Sequence, residues 1–201
     1  MTLQQDLSRR DFTIGAMAWD TEKNCLIDPF GGQRDLQNRL LRAVGDPDCR
    51  FAEDGLRILR GLRFAAELGF AVEPETAAAL RRNAPRLQSL SPERVRTELQ
   101  KLICGRAAAP VLREYIEVIG VVLPELLPMV GFAQNNPHHN RDVWEHTLTV
   151  LENIPAEPVL RWAALLHDAE KPACCTVDAE GVRPVSLYTS DAADDSLRVD
   201  L

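Results

Sequence analysis

The sequence lacks any apolar run that approaches the roughly 18–20 residues needed to cross a membrane. Its first residues, Gln4, Gln5 and Asp6 among them, lack the apolar segment of an export signal. The five cysteines are odd in number and show no C-x-x-C spacing. These absences predict a cytoplasmic protein with reduced thiols and without a membrane partner.

The composition is that of an ordinary globular protein, with 45% hydrophobic and 26% charged residues in a chain of 201. The net charge of −7 argues weakly against nucleic-acid binding. Residues 34–106, however, hold 14 Arg and Lys against 10 Asp and Glu. Arg57, Arg60 and Arg63 recur there at helical spacing, which fits either a solvated helix face or a surface that binds phosphates.

The apolar pattern predicts a mainly α fold, with a helical neck and body followed by a further helical unit. Short apolar runs at 12–19 and 25–27 flank a polar turn and predict a small β-hairpin at the N-terminus. A long helix is expected to end at Gly69, and Ser91 is expected to cap another. Helices are predicted at 35–44, 53–68, 74–82, from 91, 107–120, 143–154 and 159–169.

Asp54 and Arg57 are three residues apart, so on one helix they would share a face. A carboxylate accepts hydrogen bonds and a guanidinium only donates them. Side by side they match the edge of cytosine or adenine, where an exocyclic amine lies next to a ring acceptor. Guanine and uracil present a carbonyl instead, which Asp54 would repel. The pair could therefore select C and A over G and U.

Two further clusters have residue types that suit nucleotide chemistry. Arg10 could bind triphosphate oxygens through two hydrogen bonds, and Asp11 could accept from a ribose hydroxyl. The alternative for this pair is an ion pair at a helix end. Asp28 with Gly31 and Gly32 suits a hinge that reshapes a nucleotide pocket, and the alternative is an ordinary turn.

The C-terminal helical unit carries His146 and, about 20 residues later, His167-Asp168. Imidazole and carboxylate groups are suitable ligands for divalent metals. Histidines on neighbouring helices, one of them followed by aspartate, resemble the HD superfamily of metal phosphohydrolases. Satisfied core histidines are the alternative. His138 and His139 are either auxiliary ligands or exposed loop residues.

Four motifs in a fixed order resemble motifs B to E of the class II tRNA nucleotidyltransferases, the family of bacterial CCA-adding enzymes and poly(A) polymerases. The resemblance covers about residues 3–185, and some CCA-adding enzymes carry an HD domain after the body. The motifs are Arg9-Arg-Asp-Phe-Thr-Ile14, Asp28-Pro-Phe-Gly-Gly32, Glu53-Asp-x-x-Arg57 and Ser91-Pro-Glu-Arg-Val-Arg-x-Glu98.

The resemblance implies extension of the tRNA 3′ end with CTP and ATP, in the presence of Mg²⁺. Nucleotide contacts would come from Arg10, Asp11, Asp54, Arg57 and Arg60. Ion pairs of Glu93, Arg94 and Glu98 would brace the base-selecting helix.

The chain also departs from the family pattern. Gly15 replaces a usual Asn, Gly55 replaces a usual Pro, and Glu170 replaces the Gly of His-Asp-Ile-Gly-Lys-Pro. The family's glycine-rich phosphate loop with its metal-binding DxD pair lies upstream of the arginine–aspartate motif, and this sequence does not contain it there. We therefore assign no catalytic residue and expect this fragment alone to add no nucleotides.

The predicted organisation is a remnant of the nucleotidyltransferase head at 1–45, a nucleotide-selecting and RNA-binding body at 46–130, and a partial HD domain at 131–185. Residues 186–201 resemble translated sequencing adaptor and are set aside as a non-native tail. Three other functions stay open: a bacterial poly(A) polymerase, an HD-type metal-dependent phosphohydrolase, and a non-catalytic RNA-binding fragment.

Overall fold

A computed structural model describes residues 2–132, 142–177 and 184–186, with the main chain alone for 174–177 and 184–186. The predictions for His138, His139 and residues 187–201 lie outside this part. Helices dominate, so the predicted mainly α fold is confirmed. The helices are α1 Leu3–Leu7, α2 Gly32–Gln37, α3 Pro47–Glu53, α4 Leu56–Leu68, α5 Pro74–Asn83, α6 Pro92–Ile103, α7 Ala108–Glu114, α8 Ile116–Ile119, α9 Val143–Asn153, α10 Pro158–Leu166 and α11 Lys171–Cys174. The strands are β1 Ala18–Asp20, β2 Cys25–Ile27, β3 Leu40–Leu41, β4 Ala71–Val72, β5 Cys175–Val177 and β6 Pro184–Ser186.

The predicted hairpin is present near the N-terminus. Strands β1 and β2 pair antiparallel, with Trp19 opposite Leu26. The apolar run before it is only partly strand, because Thr13–Gly15 forms a 3₁₀ turn. Phe12, 1% exposed, makes an isolated bridge with Ala43 and packs into the core. The run at 12–19 therefore fills the core more than it extends the hairpin.

The helix predicted at 35–44 is wrong over most of its length. Helix α2 ends at Gln37, and Arg39 has a φ of 52°, outside the right-handed helical region. Strand β3 follows and pairs in parallel with β4. Leu41 is fully buried in this strand. Pairing with a distant segment has therefore overridden the local helical spacing.

A break between α3 and α4 corrects the helix predicted at 53–68. Helix α3 begins where the Asp46 carboxylate accepts from the N–H groups of Asp48 and Cys49, and it ends at Glu53. Asp54 is extended, with φ −150° and ψ 106°. The next helix starts at Leu56, so Asp54 and Arg57 do not share one helix face. The end of the prediction is confirmed, since α4 stops at Gly69 in a left-handed conformation.

Helix α4 forms the centre of the body and packs against α6. Its buried residues, among them Ile58, Leu59 and Leu62, recur every three or four positions and face the core. One continuous apolar cluster extends from Phe12 to Leu165. It crosses the two expected unit boundaries at 45/46 and 130/131.

Helices α9 and α10 form an antiparallel hairpin that packs against α6 and α7. Asp142 accepts from the N–H of Glu145 and so begins α9, while Pro158 begins α10. The predicted pair of helices is confirmed, although α10 ends at Leu166 and leaves His167 as its C-cap. Among the described residues, no helix is long and apolar enough to span a membrane.

Candidate nucleotide-binding site and metal-ligand cluster

Asp54 lies at the α3–α4 junction with its side chain 36% exposed. One carboxylate oxygen accepts from the N–H of Leu56, which caps the first turn of α4. The other oxygen lies 3.0 Å from Nη2 of Arg94 on α6. The junction thus aims Asp54 at solvent and ties it to a residue 40 positions away.

Arg57 is the second residue of α4 and lies in its first turn. Its Nη1 donates to a carboxylate oxygen of Glu53 at 2.6 Å and to the carbonyl of Arg50 at 3.1 Å. Its Nη2 donates to the carbonyl of Arg9 at 2.9 Å. The guanidinium therefore brings the arginine–aspartate motif against the start of α4, even though the two segments are 48 positions apart.

A second contact joins the same two segments. Both Nε and Nη2 of Arg60 lie within 2.7 Å of one oxygen of Asp11. Asp11 is largely buried there, with 13% of its side chain exposed. Arg10 points elsewhere and pairs with Asp6 at 3.0 Å, with 54% of its side chain exposed. The structure thus brings Asp11, Arg57 and Arg60 together at the start of α4. Asp54 lies three residues before Arg57, and Arg10 stays on the surface.

The residues predicted to form a hinge build a tight, capped turn. Asp28 accepts from the N–H groups of Gly32 and Gln33 and so begins α2. Gly31 has a left-handed φ of 73° that favours glycine. Gly32 is buried, and a Cβ there would lie 2.1 Å from the carbonyl oxygen of Thr13. The two glycines therefore serve different needs, one conformational and one steric.

Helix α6 contacts the α3–α4 region through two of its three predicted brace residues. Besides Arg94, Glu98 lies 3.0 Å from Nε of Arg63 on α4, and both side chains are almost fully buried. The pair is an ionic contact rather than a well-aligned hydrogen bond. Arg63 also lies over the ring of Phe64 at 4.1 Å. Glu93 is exposed in the first turn of α6, and its side chain forms no ion pair with the described residues.

A buried polar network that sequence reasoning missed links α2 to α5. Asp35, 1% exposed, accepts from the hydroxyl of Thr13 at 2.8 Å and from Arg42 at 3.1 Å. Arg42 reaches Glu73 at 3.3 Å, and Glu73 accepts from the main chain and hydroxyl of Thr76. A pocket of about 240 Å³ opens beside this network. The only sequence signal was the pair Glu73-Pro74, a helix start.

The pKa of Glu73 reflects two opposing effects. Burial raises it, but the hydrogen bonds from Thr76 and the charge of Arg42 outweigh burial and hold the pKa below its ordinary value. Glu73 is therefore a carboxylate at neutral pH and completes the charge balance of Arg42.

One D-x-D triplet does occur in the body, at Asp46-Pro47-Asp48. Both carboxylates are already engaged. Asp46 caps α3, and Asp48 lies 2.7 Å from Arg82, with Asn83 donating to its other oxygen. The triplet is a structural part of the α3–α5 contact, so it is not a substitute for the family's metal-binding pair.

The predicted metal ligands do converge. One ligand atom each from His146, His167 and Asp168 lie within 4.8 Å of one another. His146 lies on α9, eight residues before its C-cap, and His167 lies nine residues after the first residue of α10. Because the helices are antiparallel, these similar offsets bring the two histidines level.

Neighbouring groups prepare this cluster for a cation. Nδ1 of His167 lies 2.8 Å from the carbonyl of Ala164, and in the tautomer that donates to this carbonyl Nε2 is the atom able to bind a metal. Nε2 lies 3.3 Å from Asp168, which is 5% exposed. Lys171 donates to the same carboxylate at 2.8 Å. Two imidazoles and one buried carboxylate fit a divalent transition metal. The ammonium of Lys171 neutralises the charge of the Asp168 carboxylate.

Comparison with known families matches two segments of the chain. Residues 1–42 match the poly(A) polymerase head domain. Residues 69–129 match a model described as a probable RNA- and SrmB-binding site of polymerase A. The second segment covers α5 to the 3₁₀ turn at Pro124–Met129 and includes the brace residues on α6.

Curated relatives share substantial identity. The multifunctional CCA protein of Methylococcus capsulatus is 43% identical over 182 residues, which cover 85% of this chain and 42% of that protein. The CCA-adding enzyme of Geobacillus thermodenitrificans is 48% identical over 111 residues, which cover 55% of this chain and 27% of that protein.

Solved structures agree with the sequence matches. The Bacillus stearothermophilus CCA-adding enzyme in complex with CTP superposes with a TM-score of 0.64 at 37% identity, over 85% of this chain and 42% of that one. A CCA-adding enzyme in complex with ATP gives a TM-score of 0.59 at 26% identity, over 84% and 42%.

The two matched segments and the superpositions define the class of protein, a nucleotidyltransferase of the poly(A) polymerase type. The chain belongs to the class II tRNA nucleotidyltransferases, the family of CCA-adding enzymes and bacterial poly(A) polymerases. It spans less than half the length of the relatives named above.

Proposed function

We propose that this chain is the nucleotide-selecting and RNA-binding part of a CCA-adding tRNA nucleotidyltransferase, which extends the tRNA 3′ end with CTP and ATP. The observation that carries the proposal is the α3–α4 junction. There Asp54 and Arg57 are fixed by Arg94 and by the main chain of Arg9, beside the Asp11–Arg60 pair. Because tRNA maturation is a cytoplasmic process, we expect the protein there.

At this junction both groups would be able to read a base. The carboxylate of Asp54 is partly exposed and can accept from an exocyclic amine beside its contact with Arg94. Arg57 uses three N–H groups on the described residues, which leaves two of its five for a ring acceptor. Asp11 would orient a ribose hydroxyl, and Arg10 and Arg60 would attract the triphosphate. The turn of Asp28, Gly31 and Gly32 would adjust the pocket between C and A addition.

The reaction needs a divalent metal, which we expect to be Mg²⁺ neutralising charge on the triphosphate. No described carboxylate is assigned to this ion, because Asp46 and Asp48 are engaged in the fold. We therefore expect the chain alone to bind nucleotides without adding them.

Base selection is tested by equilibrium dialysis of the chain with each of the four ribonucleoside triphosphates. We expect CTP and ATP to bind more tightly than GTP and UTP, and Asp54→Ala to remove this preference. A hydrogen bond to a charged group contributes about 1.5–3 kcal/mol, so the preference should fall by roughly ten- to a hundredfold. Glu22→Ala, an exposed change in the hairpin, is the control. An unchanged preference in Asp54→Ala contradicts the assignment.

CCA addition is tested on a fusion that supplies the upstream phosphate-binding segment of a CCA-adding relative ahead of residue 1. The substrate is a tRNA that lacks its terminal C-C-A, and the products are sequenced. Ordered C, C and A support the proposal. Runs of A alone identify a poly(A) polymerase instead.

The converged triad favours a second candidate activity, metal-dependent phosphohydrolysis. His146, His167 and Asp168 would hold the metal, which supplies an activated water and stabilises charge on the phosphate. Lys171 would balance Asp168 and lie near an anionic substrate. The test is phosphatase activity with added Ni²⁺ or Mn²⁺, compared with His167→Ala. Equal activity of the two proteins rules out this centre.

A non-catalytic role in RNA binding is the remaining alternative. The match of residues 69–129 to an RNA-binding model supports RNA contact in any case. Affinity for tRNA should fall as salt rises, because cationic side chains release counterions from the RNA. Nucleotide discrimination at Asp54 distinguishes the proposed enzyme from a purely RNA-binding protein.

A further inference from the structure

Arg161 is a buried cation that the proposed functions leave unused. It lies on α10 and is 8% exposed. Among the described residues, no carboxylate pairs with it. Its three nitrogens instead donate to main-chain carbonyls: Nε to Pro155 at 3.1 Å, Nη1 to Ile103 at 3.2 Å, and Nη2 to Ile154 at 3.1 Å.

Two of these carbonyls lie at helix ends, and the third, that of Pro155, lies in the connector between α9 and α10. Ile103 is the last residue of α6, and Ile154 is the C-cap of α9. Carbonyls at helix C-termini lack intrahelical partners and carry partial negative charge. One guanidinium therefore caps α6 and α9 together and holds the connector between α9 and α10. Its fork of donors satisfies acceptors that point in several directions, which a lysine ammonium does poorly.

The connector held by Arg161 sets the register of the α9–α10 hairpin. His146 lies eight residues before Ile154, and His167 lies nine residues after Pro158. At a rise of about 1.5 Å per residue, both lie about 12–14 Å from the connector. A slip of one helical turn, about 5.4 Å, would exceed the 4.8 Å that now contains the three ligand atoms.

We propose that Arg161 is a positioning residue for the metal-ligand cluster: by locking the α9–α10 connector onto the end of α6, it keeps His146 level with His167 and Asp168. The inference rests on the proposed metal centre. It also links that centre to the RNA-binding body, because Ile103 lies within the segment that matches the RNA-binding model.

The test is calorimetric titration of the whole chain with Ni²⁺. Arg161→Met removes all three hydrogen bonds, and Arg161→Lys keeps the charge but not the fork. Outer groups that orient metal ligands typically change metal affinity by about 10–100-fold. We expect Arg161→Met to bind at least tenfold more weakly than the parent, and Arg161→Lys to lie between them.

Arg81→Met is the matched control. Arg81 also donates to a main-chain carbonyl and pairs with Glu117, but it lies on α5 in the body. It should lower stability without changing Ni²⁺ affinity, which separates positioning from a general loss of stability.

Two results overturn the inference. The first is an Arg161→Met variant that circular dichroism shows to be folded and whose affinity for Ni²⁺ is within twofold of that of the parent. If Arg161→Met does not fold, Arg161→Lys with parental affinity overturns it equally. A parent that binds no more Ni²⁺ than His167→Ala refutes the metal centre itself, and the positioning role with it.

Discussion

The candidate nucleotide site and the metal-ligand cluster are assembled over very different distances along the chain. Asp54 pairs with Arg94 across 40 positions, and Arg60 reaches Asp11 across 49. His146 and Asp168, in contrast, are 22 positions apart within one helical hairpin. The nucleotide site therefore depends on how four segments pack, whereas the metal cluster depends on the register of two adjacent helices.

The difference has a physical consequence for each site. Long-range ion pairs hold the nucleotide site, so removing a partner in one motif should disturb another motif. The metal cluster is set by helical offsets, so apart from changes to the ligands themselves only changes that shift the hairpin should disturb it. Variants that affect both sites equally would contradict this division.

The largest expected change in the free energy of unfolding comes from breaking the buried Glu98–Arg63 pair, which joins α6 to α4. Glu98→Ala would leave the buried Arg63 guanidinium without its nearer carboxylate, a loss that costs about 3–5 kcal/mol when a buried charge is left unpaired. We expect about 3 kcal/mol, the lower end, because Arg63 also lies over Phe64 and 3.9 Å from the carboxylate of Glu67. Urea unfolding measures the change. Glu93→Ala, five residues away and exposed, should alter stability by less than about 0.5 kcal/mol.

The second effect concerns Arg94, which contacts Asp54 on the surface. The pair is too exposed to add much stability, so Arg94→Ala should change the free energy of unfolding by under about 1 kcal/mol. It should nevertheless weaken CTP and ATP binding by roughly tenfold, since Asp54 loses a charged hydrogen bond that orients it. Equilibrium dialysis checks this. Unaltered nucleotide affinity would show that Asp54 is oriented by the Leu56 N–H alone.

The third effect depends on pH and falls on Glu73, whose pKa is lowered in the folded protein. A lowered pKa stabilises the fold above the unfolded pKa near 4.5, and this stability is lost as the pH falls through the folded pKa. Glu73→Gln removes the charge and should cost about 1 kcal/mol at pH 7. The difference from the parent should shrink below about pH 4.5. A constant difference from pH 7 to pH 3 would refute the role of its charge.

The smallest expected change in stability is at Gly55, where the motif that the sequence resembles has proline. Its φ of −58° suits proline, and the preceding Asp54 is extended, as a residue before proline should be. Gly55→Pro should raise stability by about 0.5 kcal/mol through the unfolded state. A new Cβ would lie 3.3 Å from Cβ of Arg86, so Gly55→Ala measures the cost of that contact separately. Thermal unfolding compares the stability of the two variants. If Gly55→Pro is less stable than the parent while Gly55→Ala is not, the backbone at residue 55 does not suit proline.

Sequence reasoning predicted what short-range patterns determine. The stop at Gly69, the hairpin around Trp19 and Leu26, and the α9–α10 pair with its level histidines all follow from local spacing. It missed what distant segments impose. Leu41 lies in a strand because its segment pairs with Ala71 and Val72. A carboxylate such as Asp35 could not be recognised as buried without knowing that Thr13 and Arg42 surround it.

The candidate sites divide in the same way. The residue types of Asp54 and Arg57 were visible, but the break that places Asp54 between two helices was not. The contacts that hold this break involve side chains: Arg94 binds the Asp54 carboxylate, and Arg57 donates to the Arg50 carbonyl, the group that the Asp54 N–H would use if the helix continued. The roles of these residues toward nucleotides stay predictions until the binding experiments are done.

The apolar cluster that runs from Phe12 to Leu165 without interruption has a consequence for modularity. Units that share one core cannot be exchanged between proteins as independent cassettes. Removal of the α9–α10 hairpin would expose the faces of α6 and α7 that it covers. A gene rearrangement that joins a different helical unit after residue 130 would therefore give a stable protein only if that unit presented a matching apolar face. Recombination in this family should favour breakpoints outside the shared core.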